Sequence, residues 1–208
     1  MAACCSGGCS SNRGEIPPRY RKALWIALVV NTLMFLVEIV GGLKSGSVSL
    51  LADAVDFAGD AANYGISLTV LSMGFVWRSR AALLKGVSMG AYGLFVLGKA
   101  AWAALAGVPP EPLTMGAIAL IALAANVSVA ALLYAFRSGD ANMRSVWLCS
   151  RNDAIVNIAI ACAALGVLGT GSAWPDLAVA GIIAALALSS SLSVVRQARS
   201  ELAGASPG

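Results

Sequence analysis

Apolar residues fill this chain in six long stretches, separated by short polar or turn-forming breaks. The stretches cover roughly residues 23–43, 49–76, 82–106, 113–136, 146–169 and 174–195. Crossing about 30 Å of hydrocarbon takes roughly 20 helical residues, and every stretch supplies them. The breaks carry turn chemistry: KSGS at 44–47, WRSR at 77–80, VPPEP at 108–112, RSGDANMR at 137–144 and GTGSAWPD at 169–176. The pattern predicts an all-α membrane protein, a bundle of six transmembrane helices.

Composition agrees. Of 208 residues, 59% are hydrophobic and 12% charged, and the mean hydropathy is +0.81. A soluble domain carries about 25% charged residues. Residues 1–22 are polar and lack the short apolar core and small-residue cleavage site of a removable signal. The basic residues are asymmetric. Arg13, Arg19, Arg21, Lys22, Arg78, Arg80, Lys85, Arg137, Arg144, Arg196 and Arg199 fall on one side, and Lys44 alone on the other. That bias predicts cytoplasmic termini. The expected organisation is a cytoplasmic Cys-containing tail (1–22), a six-helix membrane domain (23–195) and a short cytoplasmic C-terminal tail (196–208), with no soluble C-terminal domain. A net charge of +4 spread over several loops marks no nucleic-acid partner; the expected surroundings are lipid.

One stretch breaks the apolar pattern. SLLADAVDFAGDAANYGISL, residues 49–68, places Asp53, Asp56 and Asp60 at i, i+3 and i+7 along one helix face, with Asn63 extending the stripe. Each aspartate at a bilayer centre costs roughly 2.5–3.5 kcal/mol on insertion scales, so the stripe must face the bundle interior. The fifth stretch answers it with WLCSRNDAIVN, where Cys149 and Asp153 are i, i+4 and Asn157 lies one turn further. Face to face, Asp56, Asp60, Cys149 and Asp153 make four ligands, the number a tetrahedral divalent site needs. The structural alternative pairs the aspartates with Lys99 or Arg151, the two basic residues inside spans. Asp53, nearer its helix end, is expected to cap or brace the neighbouring loop. Cys162 has no polar companions at i±4 and reads as a small packing residue. Cys4, Cys5 and Cys9 crowd the tail, where three thiols either capture a soft metal or are incidental.

GGLKSGSVSLLADAVDFAGDAANYGISL, with CSRNDAIVN and WPDLAVAGIIAALAL, resembles the second, fifth and sixth spans of the cation diffusion facilitators, a family of divalent-metal/proton antiporters. The resemblance runs from about residue 20 to 202. It implies that Asp56, Asp60 and Asp153 are metal ligands, with Cys149 where relatives carry His or Asp. A thiolate favours softer ions, which moves the expected cargo toward zinc or cadmium. The resemblance further implies alternating access, with metal leaving the cytoplasm as protons enter, no resident cofactor and no enzymatic activity. It also implies a bacterial inner-membrane location and a homodimer held through the spans. The chain has no His, so proton coupling must use Asp groups or Cys149. Two other functions compete: a prenyltransferase-like enzyme using the D-x-x-D-x-x-x-D motif, and a metal-binding membrane protein without transport.

Overall fold

A computed structural model of the chain describes residues 18–69, 75–136 and 141–204. The tail thiols Cys4, Cys5 and Cys9 lie outside the described residues. Six helices follow one another: α1 (Pro18–Ser45), α2 (Val48–Thr69), α3 (Phe75–Ala106), α4 (Pro112–Tyr134), α5 (Ala141–Thr170) and α6 (Trp174–Gly204). No strand occurs among the described residues. Five of the six helices are long and apolar enough to cross a membrane; α2 carries three aspartates in its 22 residues. The chain is a multi-pass integral membrane protein.

Several helices outrun the apolar stretches that announced them. The α1 helix begins at Pro18, takes in Arg19, Arg21 and Lys22, and starts with the ring whose fixed φ suits a first helical turn. The expected break at 77–80 is a correction: WRSR lies inside α3. Its residues are competent helix formers, and their charge marks where the helix leaves hydrocarbon, not where it stops. Likewise, residues 141–144 of the expected fourth break form the first turn of α5.

Where helices do stop, the cause is local. Gly107 and Gly171 take φ of +65° and +61°, and their N–H groups close back on the carbonyls of Ala103 and Val167 at 3.0 and 2.8 Å. Those are left-handed C-terminal caps, which a Cβ would strain. The N-terminus of α4 is capped by Glu111, which accepts from the N–H groups of Leu113 (3.0 Å) and Thr114 (2.6 Å). Bonding to Thr114, reinforced by the Leu113 N–H, holds the Glu111 carboxyl below the usual glutamate range.

Helices pack most extensively as α1 with α2, α3 with α6, and α4 with α5. Small residues make this possible, as expected where lipid offers no hydrophobic drive for helix association. The central cluster includes Ala119, Ala163, Ala164, Ala180 and Ala184, whereas Leu33, Leu94, Leu165 and Ile182 project outward. A Cβ on Gly42 would meet Leu51 of α2 at 2.8 Å, and one on Gly90 would meet the Ser191 hydroxyl of α6 at 2.5 Å. The Ser191 Oγ also donates to the Gly86 carbonyl at 2.7 Å, so α3 and α6 touch backbone to side chain. Cys162 corrects another expectation: it is exposed on the outer face of α5 and packs nothing inside.

Candidate metal centre

Asp53 and Asp60 of α2 and Asp153 of α5 are all buried, and Asp56 is half-buried. The i, i+3, i+7 spacing therefore does turn one face of α2 inward. Asp60 is the charged group that acts most strongly on Asp153, followed by Asp56 and Asp53. The two helices are tied beside these carboxylates. Tyr64, one turn beyond Asp60, donates its hydroxyl to Asp60 Oδ2 at 3.0 Å, and lies 3.0 Å from Ser150 Oγ of α5. Asn157 is fully buried and donates through Nδ2 to the Asp153 carbonyl at 3.0 Å. Asn63 is half-buried on the same helix as the aspartates.

No three Cys, Asp or Glu side chains stand close enough together, among the described residues, to hold a metal ion. Cys149 falls in α5 one position before Ser150, but its side chain lies outside the described residues. The structural alternative fares poorly. Lys99 and Arg151 are both exposed; Arg151 lies 5.4 Å over the Trp147 ring and donates to Asn152 Oδ1 at 3.1 Å.

Two acidic residues have roles that the sequence reading did not give them. Asp53 was expected to brace a loop, yet it is fully buried and its side chain meets Glu38 and Asn157 inside the bundle. The bracing is done by Asp176, in the first turn of α6. Its carboxylate accepts from the Ser47 hydroxyl (2.7 Å), the Val48 N–H (2.8 Å), the Ser49 N–H (3.1 Å) and the Ser49 hydroxyl. The two N–H groups are orphan donors of the α2 N-terminus, which a carboxylate suits electrostatically. The second residue is Glu38 of α1, fully buried beside Asp53. A lone glutamate inside an apolar run, in helical register with Asn31 and Gly42, was the signal available for it.

The family described as the cation efflux transmembrane domain matches residues 24–203. The chain is 27% identical over 206 residues to a cadmium, cobalt and zinc/H(+)-K(+) antiporter of Bacillus velezensis, covering 90% of this chain and 64% of that protein. It is 22% identical over 179 residues to the metal cation efflux system protein CzcD of Cupriavidus metallidurans, covering 80% of this chain and 57% of that protein. The chain thus spans 57–64% of the length of these two curated relatives. Transporter relatives from bacteria, together with five membrane-crossing helices, place it as a multi-pass protein of the bacterial plasma membrane. The prenyltransferase alternative falls away with the family match, which covers nearly the whole chain. This protein belongs to the cation efflux family, the cation diffusion facilitators, whose members are transporters and not enzymes.

Proposed function

We propose that the chain exports a divalent heavy-metal cation, zinc or cadmium, from the cytoplasm in exchange for protons. The observation that carries this reading is the pairing of buried Asp60 on α2 with buried Asp153 on α5, close enough for their side chains to interact directly. Two carboxylates on separate helices, with no basic group buried beside them among the described residues, are suited to a cation as cargo. Asp56 and Cys149 complete the ligand set in this reading. The names of the relatives support cadmium and zinc. Protons compete with metal for the same lone pairs, so the two ions exchange at one site as α2 and α5 open it alternately to each side.

The same reading places both termini in the cytoplasm, with eleven basic residues on that side against Lys44 on the other. It takes metal and protons as substrates and has two copies associating through their spans. Cys4, Cys5 and Cys9 assist metal capture at low concentration.

The test is metal uptake into proteoliposomes under an imposed pH gradient. Asp60→Ala and Asp153→Ala should abolish uptake while the protein still inserts and stays monodisperse. Near-normal flux in either variant removes the paired-aspartate site. In the same assay, Cys149→Asp should keep transport but lose preference for cadmium over zinc, because a thiolate binds the softer ion better. An unchanged preference removes Cys149 from the ligand set.

A further inference from the structure

Between α1, α2, α3 and α5 lies a second polar cluster, separate from the proposed ligands. Glu38 and Asp53 are both fully buried and neighbour one another. Asn157, also fully buried, stands beside Asp53, and Tyr92 of α3 lies within electrostatic reach of Glu38. The hydrogen-bond inventory is lopsided. Glu38 Oε1 and Oε2, Asp53 Oδ1 and Oδ2, and Asn157 Oδ1 are buried acceptors without a partner, as is the Tyr92 hydroxyl. The Asn157 amide nitrogen is already engaged with the Asp153 carbonyl. Five acceptor atoms meet with few donors, the second Asn157 amide hydrogen and the Tyr92 hydroxyl, an arrangement that native interiors avoid unless something supplies the missing protons or charge.

We propose that Glu38 and Asp53 together hold a proton between them, at a second titrating site beside the metal ligands Asp56, Asp60 and Asp153 and additional to the proton exchange at those ligands. Two neighbouring carboxyls shielded from water do not both stay ionised; one proton between them supplies a donor and removes a charge. Among the described residues the surroundings leave no other neutraliser. Facing the pair are Asp56 on α2, Tyr92 on α3 and, further off, Asp60 on α2 and Asp153 on α5. Between its cap and Tyr134 at its far end, α4 has no titratable residue. On α6, Asp176 is committed to the α2 N-terminus. Coupling to metal follows from position: Asp53 is one turn from Asp56, and Asp56 acts on Glu38. A divalent charge arriving at the ligands disfavours neither carboxylate but does disfavour the proton, and so expels it. This coupling rests on the transport reading above; the proton site itself does not.

The experiment has two arms. In the first, the full chain in lipid nanodiscs, free of metal, is followed by infrared spectroscopy across a pH series. A protonated-carboxyl carbonyl band should be present in the wild type at neutral pH. Both Glu38→Gln and Asp53→Asn should remove that same band, while Glu38→Asp retains it at a shifted frequency. Absence of the band in the wild type, or its persistence in both amide variants, overturns the proposal. A band that responds to potassium at fixed pH overturns it too, in favour of an alkali-cation site. In the second arm, cadmium uptake by Glu38→Gln proteoliposomes should continue but be accelerated less by a pH gradient than uptake by the wild type. Acceleration equal to the wild type overturns the coupling. A wild type that shows the band but moves no metal sinks the transport reading and leaves the proton site standing.

Discussion

Replacing Asp176 by alanine should loosen one end of α2 from the rest of the bundle. Four hydrogen bonds end on this buried carboxylate, two from backbone N–H groups and two from hydroxyls. A hydrogen bond to a charged group is worth about 1.5–3 kcal/mol in stability, and simple addition would give roughly 6–12. Addition overstates the loss, because the four donors share one acceptor group and single substitutions rarely exceed about 4–5 kcal/mol. The expected cost of Asp176→Ala is therefore about 3–5 kcal/mol. Asp176→Asn keeps the shape and one acceptor oxygen but points an NH2 group at donors, so it should cost about 1–3 kcal/mol. At about 2–4 °C per kcal/mol for a chain of this size, the alanine variant should unfold roughly 6–20 °C earlier. The assay is thermal unfolding of purified protein in detergent, with amide hydrogen exchange over Val48, Ser49 and Leu50. Exchange there should accelerate in both variants, more in alanine than asparagine. If both variants melt with the wild type and those amides stay protected, the clamp contributes nothing and the reasoning fails.

Two further perturbations test the packing and the caps. Gly42→Ala should cost about 1–3 kcal/mol, because its new Cβ would lie 3.2 Å from the backbone nitrogen of Leu51, which cannot step aside. Gly41→Ala should cost less, since its obstacle is the mobile tip of Ile118; the reverse order in thermal unfolding contradicts this account. The Glu111 carboxyl is held below its ordinary range by the N–H groups it caps, so its contribution is complete above that range. It is lost as pH falls through the lowered value of the folded state. The stability difference between wild type and Glu111→Gln should therefore shrink on acidification, and a difference constant with pH argues against the cap.

The helices were legible because hydrocarbon imposes a length, and a run of some 20 apolar residues has few other uses. Their ends were not. Apolar runs report where a helix meets water, whereas the helix of α3 continues through Trp77, Arg78 and Arg80 into the polar region. The three aspartates of α2 stood out because they repeat at helical spacing against an uncharged background. Glu38 did not, since one carboxylate in 28 residues of α1 barely changes the local average. Its meaning depends on Asp53 lying opposite, and a pairing between helices is a tertiary fact. Asp176 was hidden in the same way. It sits in a turn rich in Gly, Ser and Pro, and its partners are 127–129 positions away in the chain.

The close approach of α3 and α6 also has a mechanical meaning. With Gly86 and Gly90 removing the side chains that would separate them, and Ser191 bonded to a backbone carbonyl, these two helices form a stiff strut. Sliding one along the other would drive Leu188, Ser191 and Val195 into positions that only glycine accommodates. The contact between α2 and α5 is sparse by comparison, and its polar ties include the one between Tyr64 and Ser150. Compliance in the molecule is therefore concentrated along the seam that Asp60 and Asp153 face from either side. A cation that drew those two carboxylates together would work against a lightly packed joint, while the strut beside it holds its shape.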